Sequence, residues 1–154
     1  MVMEMHISRA LLDAILADVA LDPASERCGL LLGVRGGGRA RCLAIQPAAN
    51  VHGDPQRYFE IDPAVLIAAE RDARGGGHAV IGYYHSHPVG PATPSVHDGA
   101  AAAADGRYWL IVAGAGYALW RSAAAGTMHG RFDTARLVME PAAHHPLASP
   151  PPPS

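Results

Sequence analysis

The densest group of chemistry-bearing side chains is His85-Ser86-His87, followed after a proline-rich turn by Ser95 and Asp98. In a strand, residues i and i+2 point to the same face, so the two histidines can reach one point while the serine between them points away. Ser95 and Asp98 are three apart, so on a helix they share a face. Two imidazoles and a carboxylate directed at one point supply three protein ligands and leave room for a water, which is the composition of a catalytic zinc site.

The pair Ser95 and Asp98 also has a purely structural interpretation. A serine at a helix N-cap followed three residues later by an acid is a capping box, in which both residues satisfy backbone N–H groups of the first turn. An alternative register places Thr93 at the N-cap and Pro94 at the first helical position, where proline is favoured. In that register Ser95 and Asp98 are free on one face of the helix. The sequence leaves both registers open.

Glu26 is an acid far upstream that completes a longer pattern. It precedes a short apolar run, residues 28–33, that is typical of a buried strand, and taken alone it would be a solvated acid at a strand edge. With the later motif it forms a Glu followed by His-x-His, seven residues, Ser, two residues and Asp. This pattern resembles the JAMM (MPN+) metalloprotease signature. The flanking sequences are similar to the short prokaryotic stand-alone members, over about residues 4–139.

The resemblance implies a zinc metallopeptidase. His85, His87 and Asp98 would hold one Zn²⁺ and leave a position for water, whose pKa the metal lowers toward about 7. Glu26 would accept the proton of that water and return it to the leaving amine. Ser95 would donate its hydroxyl to the oxyanion on the scissile carbonyl. The family implies hydrolysis of the peptide or isopeptide bond after the C-terminal Gly-Gly of a ubiquitin-like protein, here of the sulfur-carrier type.

Three further residues are candidates for contact with that substrate. His97 adjoins Asp98 but lies off the ligand face, and His52 lies in a polar loop without a partner at ligand spacing. Tyr84 directly precedes the His-x-His pair. We expect the extended tail of the ubiquitin-like protein to bind by adding a strand beside the metal. Ser86, on the opposite face of its strand, would pack or give a supporting hydrogen bond.

Other classes of function remain open from the sequence. A non-catalytic scaffold of the same fold would bind partners without hydrolysis, but it has no physical need for the complete signature. A structural zinc site would use a fourth protein ligand in place of water. A zinc amidohydrolase acting on a small amide would need a deep, closed pocket rather than an open groove.

The composition fits one small enzyme. The 154 residues are enough for a single domain with a buried core. The net charge is −2 with neutral histidines and no basic stripe is present, so we expect neither nucleic acid nor a membrane as a partner. No apolar run approaches roughly 18 residues and the N-terminus lacks a signal-peptide pattern, so we expect a cytoplasmic protein. Cys28 and Cys42 should then be buried thiols, although adjacent strands could bring them together as a disulfide.

Hydrophobic spacing and turn residues predict the elements that must position these side chains. They indicate an α/β fold, with a mixed, mostly antiparallel sheet flanked by helices as three α-β-α layers. The resemblance implies the same fold, the MPN/JAB fold, which is cytidine-deaminase-like. The predicted helices are residues 7–19 with Ser8 as N-cap, 62–74 and 95–105. The predicted strands are residues 27–33, 39–46, 57–61, 78–86, 107–114, 117–121 and one or two within 130–139.

Residues 1–140 are predicted to form the metallopeptidase domain. The remainder, 141–154, is rich in proline and contains no Lys, Arg, Asp or Glu, so we expect a disordered or partly polyproline tail. His144 and His145 lie in that tail. The predicted fold exposes sheet edges that would allow a homodimer, although no sequence feature settles this.

Overall fold

A computed structural model describes residues 3–114 and 116–141 of the chain. These residues form eight strands and three helices. In chain order the elements are β1 (Glu4–Ser8), α1 (Arg9–Ala20), β2 (Cys28–Gly36), β3 (Arg39–Ala48), α2 (Pro63–Arg74), β4 (Ala79–His87), α3 (Val96–Ala101), β5 (Tyr108–Ala113), β6 (Gly116–Ser122), β7 (Phe132–Thr134) and β8 (Arg136–Glu140).

All eight strands belong to one mixed sheet, in the order β7-β6-β5-β4-β2-β3-β1-β8. β4, which carries the histidine pair, lies in its interior between an antiparallel β2 and a parallel β5. Four of the seven pairings are antiparallel, in agreement with the predicted mixed, mostly antiparallel sheet. The side chains of β4 are largely buried on both faces of the sheet, with Ile81 in the core cluster of α1 and Val80 in that of α2. This accounts for its nearly continuous apolar and aromatic sequence before the histidines.

The two edges of the sheet approach each other. β7 and β8 are separated only by Ala135, yet they lie at opposite ends of the strand order. The Ala135 N–H donates to the carbonyl of Leu119 in β6, and the Arg136 N–H donates to the carbonyl of Met3 beside β1. The sheet is therefore curled and nearly closed, which leaves less free edge for pairing with a second copy. A homodimer stays a prediction.

The first two helices pack on opposite faces of the sheet. Neighbouring residues of a strand point to opposite faces. Leu31 belongs to the core cluster that contains Leu12 and Ile15 of α1, whereas Leu30 belongs to the cluster that contains Ala69 of α2. The helices are short and cover only part of the sheet. The α/β class with a mixed sheet is confirmed, while a complete three-layer arrangement stays a prediction.

Local sequence explains where these helices begin. The Ser8 hydroxyl accepts a hydrogen bond from the Leu11 N–H at 3.2 Å, which confirms Ser8 as the N-cap of α1. The Asp62 carboxylate accepts one from the Ala64 N–H at 3.0 Å, and Pro63 occupies the first position of α2. Both helix starts therefore follow from the residue types at their caps.

Three element predictions were wrong in detail. Ile7 lies in β1 rather than α1, because pairing with β3 and β8, both distant in sequence, overrides its helical spacing. Residues 57–61 form a loop with one isolated bridge between Asn50 and Ile61, since two of their backbone groups, the Tyr58 carbonyl and the Glu60 N–H, bond the Asn50 side chain instead of a strand. α3 ends at Ala101 rather than 105, because the chain turns toward β5 and alanine's helix propensity is only a weak preference.

The two cysteines are free thiols, and both are buried. In the β2–β3 ladder Cys28 lies opposite Ala48 and Cys42 lies opposite Gly33, so the cysteines are not cross-strand neighbours. The Cys28 thiol donates weakly to the carbonyl of Ala48, at 3.7 Å. Both cysteines therefore pack in the core, as the sequence predicts.

Two other expectations concern the ends of the chain and its surface. Residues 142–154, which include His144 and His145 and nearly all of the predicted disordered tail, lie outside the described residues. The domain boundary at residue 140 stays a prediction. Within residues 3–114 and 116–141, none of the helices has the length and apolar character needed to span a bilayer.

Candidate metal centre

β4 and α3 bring three candidate ligand atoms together. Nε2 of His85 lies 3.1 Å from Nε2 of His87, and Oδ2 of Asp98 lies 3.2 Å from each of them. The histidines share one face of β4, as their spacing predicts, and Asp98 lies in the first turn of α3. The three atoms form a nearly equilateral triangle. Its sides are close to the separations expected around a tetrahedral ion with bonds of about 2.0–2.1 Å.

The capping box is present and holds the carboxylate of Asp98. The Asp98 N–H donates to Oγ of Ser95 at 3.0 Å, and the Ser95 N–H donates to Oδ2 of Asp98 at 2.9 Å. Ser95 is therefore the N-cap, and the register that begins at Thr93 is excluded. Helix capping and metal ligation are therefore compatible roles for this pair, because the capping contact orients the same oxygen of Asp98 that faces the histidines.

The surroundings fix the orientation of both imidazoles. Nδ1 of His87 lies 2.9 Å from the carbonyl of Pro91, so a proton on Nδ1 leaves Nε2 free as a ligand. The ring of His85 stacks on Phe59 with 4.2 Å between centroids and meets the edge of Trp109 at 5.6 Å. The proline-rich turn thus sets the tautomer of His87, while aromatic rings shield His85 from water.

The electrostatics of the cluster favour an ionised carboxylate beside its imidazoles. Burial would raise the pKa of Asp98, but hydrogen bonds with His85 and His87 outweigh burial and hold that pKa well below its usual range. Burial lowers the pKa of His85, which favours the neutral, ligating form. For His87, burial is outweighed by hydrogen bonds with Asp98 and the Pro91 carbonyl, which raise its pKa.

Glu26 completes the group from the segment that precedes β2. Its carboxylate oxygen and the ligand atoms of His85, His87 and Asp98 all lie within 4.8 Å of one another. Glu26 is only 5% exposed, and its Oε1 has no hydrogen-bond partner among the described residues. Burial raises the pKa of Glu26 to about 8, with a smaller opposing effect of His87. The carboxylate of Glu26 therefore lies beside the triangle of ligand atoms.

This donor set can hold a metal ion. Two imidazole nitrogens and one carboxylate oxygen are ligands that suit zinc and similar divalent ions. These three ligands leave the fourth position of a tetrahedral ion for a water, as in catalytic sites, whereas Glu26 as a fourth ligand would close the site, as in structural ones. Oε1 of Glu26 is buried without a hydrogen-bond partner among the described residues, as expected for a site that a metal ion and its water would complete. A nearby cation would also favour the ionised form of Glu26.

A cleft of about 320 Å³ opens onto this cluster. Val89 on its rim is 90% exposed, and Gln56, Arg57 and Ser95 are exposed as well. The cleft is lined by Glu26, Gln56, Arg57, His87, Pro88, Val89 and Ser95. The site therefore lies in an open groove rather than a deep, closed pocket.

Tyr84, a candidate for substrate contact, lies in the core instead. Its side chain is fully buried, and its hydroxyl donates to Oδ2 of Asp18 in α1 at 2.7 Å. Neighbouring residues of a strand face opposite sides, so Tyr84 points away from the face that carries His85. The hypothesis of a substrate contact is corrected on this ground, because Tyr84 has no exposed surface to offer.

His52 and His97, the other two candidates, lie next to each other with Tyr58. The rings of His97 and Tyr58 are 4.1 Å apart between centroids, and those of His52 and His97 are 5.7 Å apart. Both histidines are half-buried, and His97 adjoins Asp98 in α3. They border the site without joining the ligand cluster, and their contact with a substrate stays a prediction.

Two residues near the site were missed from the sequence. Phe59 stacks on His85, whereas its sequence context predicted only a strand. Asn50 bonds the backbone of Glu26, 24 positions away. The one available signal was the preference of asparagine for loops, where its side chain bonds nearby backbone groups. That preference does not reveal a partner so distant in sequence.

Two proteins whose names describe an activity are similar to this chain. The chain is 34% identical over 91 residues to the desampylase of Haloferax volcanii, which covers 58% of this chain and 63% of that protein. It is 33% identical over 94 residues to a Thermus thermophilus protein named as a probable TtuB-protein conjugate cleaving protease, which covers 61% of this chain and 60% of that protein. The chain thus matches less than two-thirds of the length of either relative.

Two solved structures match almost the whole chain. The solution structure of a Desulfitobacterium hafniense protein has a TM-score of 0.76 at 25% identity and covers 92% of this chain and 96% of its own. That of a Salinibacter ruber protein has a TM-score of 0.64 at 31% identity and covers 92% and 97%. The Prok-JAB family profile, described as prokaryotic homologs of the JAB domain, matches residues 8–127, a range that includes every residue of the cluster and Ser95. The chain therefore belongs to the family of prokaryotic homologs of the JAB domain.

Proposed function

We propose that the protein is a zinc-dependent peptidase or isopeptidase that hydrolyses the bond after the C-terminal Gly-Gly of a ubiquitin-like protein of the sulfur-carrier type. The observation that carries this proposal is the convergence of Glu26, His85, His87 and Asp98, whose ligand atoms lie within 4.8 Å of one another in an open cleft beside Ser95. A binding scaffold has no physical need for a buried carboxylate whose Oε1 finds no hydrogen-bond partner among the described residues. Hydrolysis gives that carboxylate a role.

Zinc is the ion that this ligand set suits best. His85, His87 and Asp98 would hold it, with His87 oriented by the Pro91 carbonyl and Asp98 by the Ser95 N–H. When bound, zinc supplies Lewis acidity, which polarises a carbonyl and lowers the pKa of water toward about 7.

Glu26 acts as general base and then as general acid. Its carboxylate accepts a proton from the water that attacks the scissile carbonyl, and it returns that proton to the amine that leaves. The position of Glu26 supports this role, because its carboxylate is buried beside the ligand triangle and lines the same cleft as His87. From this position Glu26 can hold the proton between the attack of water and the departure of the amine.

Ser95 stabilises the negative charge that develops on the carbonyl oxygen. Its Oγ accepts a hydrogen bond from the Asp98 N–H, which leaves the hydroxyl proton available as a donor. Ser95 also lines the cleft with Glu26 and His87, so this donor can reach a carbonyl bound there.

The proposed substrate is the extended tail of a ubiquitin-like protein in a conjugate or a fusion. The names of the two relatives, a desampylase and a probable TtuB-protein conjugate cleaving protease, support protein conjugates as the substrate class. An open groove with exposed walls suits an extended Gly-Gly tail, which has no side chains to accommodate, better than a small amide. We propose that the tail adds as a strand along this groove and that His52 and His97 contact the substrate.

Metal analysis and a cleavage assay test the proposal together. The substrate is a ubiquitin-like sulfur carrier that extends beyond its Gly-Gly. We expect about one zinc per chain and cleavage after Gly-Gly. Glu26→Gln should keep zinc and lower kcat about 100- to 10,000-fold, whereas His87→Ala should lose zinc and activity. Zinc without cleavage of any carrier substrate would contradict the substrate class, and no metal after reconstitution would overturn the whole proposal.

A further inference from the structure

Glu26 lies in a segment of the chain that belongs to no strand of the sheet. It precedes β2 by two positions. Its N–H donates to the carbonyl of Pro55 at 2.7 Å, and its own carbonyl accepts a hydrogen bond from Nδ2 of Asn50, also at 2.7 Å. Both backbone groups of Glu26 are therefore held by the segment that follows β3.

We propose that Asn50 is the positioning residue for Glu26, an inference that rests on the proposed hydrolytic function. Asn50 acts through the backbone of Glu26 and does not touch the reacting atoms. It sets the place from which the carboxylate reaches the attacking water.

The side chain of Asn50 uses its full hydrogen-bonding capacity. Nδ2 donates to the carbonyls of Glu26 and Tyr58, at 2.7 and 3.0 Å. Oδ1 accepts from the N–H groups of His52 and Glu60, at 3.1 and 3.0 Å. Two donor hydrogens and two lone pairs are all that an amide side chain offers. The flipped amide would set donor against donor and acceptor against acceptor at every one of these contacts.

The same four hydrogen bonds fix the segment that covers the site. Tyr58 packs against His97, and Phe59, between the two bonded residues Tyr58 and Glu60, stacks on His85. Asn50 thus joins the backbone of the base to the aromatic wall beside a metal ligand.

The neighbouring contacts do not depend on Asn50. The Arg27 N–H donates to Oγ of Ser86 at 2.9 Å, and the Ser86 N–H donates to the Arg27 carbonyl at 3.0 Å. The candidate ligands reach the site from β4 and α3, which Asn50 does not bond. Loss of Asn50 would release Phe59 as well as the base, but Phe59 only stacks on His85. The Pro91 carbonyl and the Ser95 N–H still orient His87 and Asp98, so the ligand triangle should stay intact while the base is displaced.

Asn50→Asp is the sharpest variant. It keeps the size and one acceptor oxygen, but it replaces the two donors by an oxygen that faces the carbonyls of Glu26 and Tyr58. We expect kcat for the extended carrier to fall up to about 100-fold, the cost of a displacement of about 1 Å in a catalytic group, with KM nearly unchanged.

A double-mutant cycle with Glu26→Gln separates positioning from general damage. If Asn50 acts through Glu26, Asn50→Asp should cost almost nothing more once the carboxylate is gone. Two readouts need no turnover. The absorption spectrum of the Co²⁺-loaded protein should match that of wild type. The amide of Glu26 should exchange hydrogen faster, because the backbone of Glu26 loses the Nδ2 donor, whereas the amides of His52 and Glu60 keep their acceptor oxygen.

Ser122→Ala is the matched control. It also removes a part-buried hydrogen bond, from Oγ of Ser122 to Oδ1 of Asp105 at 2.9 Å, but on β6 and away from the cluster. It should lower Tm without lowering kcat.

The outcomes discriminate. Losses that multiply in the cycle, an altered Co²⁺ spectrum, an unchanged kcat in Asn50→Asp, or an equal loss of kcat in Ser122→Ala would each overturn the role of Asn50. Wild-type protein that cleaves no carrier substrate would instead defeat the proposed function. The exchange measurement would still decide whether Asn50 holds the backbone of Glu26. Unchanged protection of the Glu26 amide in Asn50→Asp would refute this contact as the one that positions Glu26.

Discussion

The hydroxyl of Ser95 belongs to two parts of the molecule. It caps α3 by accepting from the Asp98 N–H, and it lines the cleft in which we propose that hydrolysis occurs. Asp98 returns the capping contact through the same oxygen that faces the histidines. Removal of the hydroxyl should therefore act on both stability and catalysis, and the two effects can be measured apart.

Ser95→Ala should lower kcat about 100- to 1,000-fold, because an oxyanion donor is lost. It should also lower the free energy of unfolding by about 1 kcal/mol, because an N-cap is lost. Ser8→Ala removes the N-cap of α1 and serves as the matched control, with a similar loss of stability and an unchanged kcat. Denaturant unfolding and steady-state kinetics measure the two quantities. If Ser8→Ala lowered kcat as much as Ser95→Ala, Ser95 would have no role in catalysis beyond capping its helix.

The cysteines allow a prediction about pH that does not depend on the metal. Burial raises the pKa of Cys28 to about 12 and that of Cys42 to about 11. The thiolate is the reactive form, and its fraction at pH 8 falls about tenfold for each unit of rise in pKa. Iodoacetamide should therefore leave the native protein unlabelled at pH 8, with reaction rising only as the pH approaches these values.

Mass spectrometry checks this result. After unfolding in denaturant without reductant, both cysteines of the chain should be labelled. An unfolded protein that requires a reductant before it is labelled would reveal a disulfide and contradict the structure. Rapid labelling of the native protein would contradict the raised pKa values.

At the scale of elements, a buried polar group joins α1 to β4 and to the segment that carries Glu26. Oδ1 of Asp18 accepts from Nη2 of Arg27 at 2.8 Å, and Oδ2 accepts from the Tyr84 hydroxyl at 2.7 Å. The Tyr84 ring lies over Gly29 of β2, where a Cβ would come within 2.3 Å of it. The glycine thus makes room for the ring, and the ring delivers its hydroxyl to the helix.

Tyr84→Phe should lower the free energy of unfolding by about 1–3 kcal/mol, because a buried carboxylate oxygen of Asp18 loses its donor. KM for the extended carrier should not change, since Tyr84 faces away from the cleft. Tyr117→Phe alters a 39% exposed tyrosine of β6 and should change neither quantity. A raised KM with unchanged stability in Tyr84→Phe would restore Tyr84 as a substrate contact.

The sequence predicted what short-range geometry determines. The shared face of His85 and His87 follows from the period of a strand. For the start of α3 the sequence left two N-caps open, Thr93 and Ser95, and the structure has Ser95. The same period places Tyr84 on the opposite face, so its proposed contact with substrate conflicted with the alternation that predicted the ligands.

Long-range contacts determine the remainder. β1 exists because it pairs with β3 and β8, and the bonds of Asn50 join residues up to 24 positions apart. A five-residue strand and a lone loop asparagine carry almost no local signal. The aromatic cover that Phe59 gives to His85 was missed for the same reason.

At the scale of the molecule, the candidate metal centre joins distant parts of the chain. Glu26 precedes β2, the histidines end β4 in the interior of the sheet, and Asp98 lies in α3, which leads into β5. An ion held by the ligands from β4 and α3 closes the proline-rich connection between them. Since the unfolded chain cannot assemble this set, metal binding should add to folding stability.

Removal of the metal should therefore lower Tm. Free metal at about 100 times Kd stabilises the folded state by about 2.7 kcal/mol, and each kcal/mol shifts Tm by about 2–4 °C for a chain of this size. We expect EDTA to lower Tm by about 5–10 °C, and added Zn²⁺ to restore it. Calorimetry of Glu26→Gln, which keeps all three ligands, should show the same shift, whereas Tm of His87→Ala should respond to neither reagent. An equal response in His87→Ala would mean that the stabilising ion binds elsewhere, for example at His144 and His145.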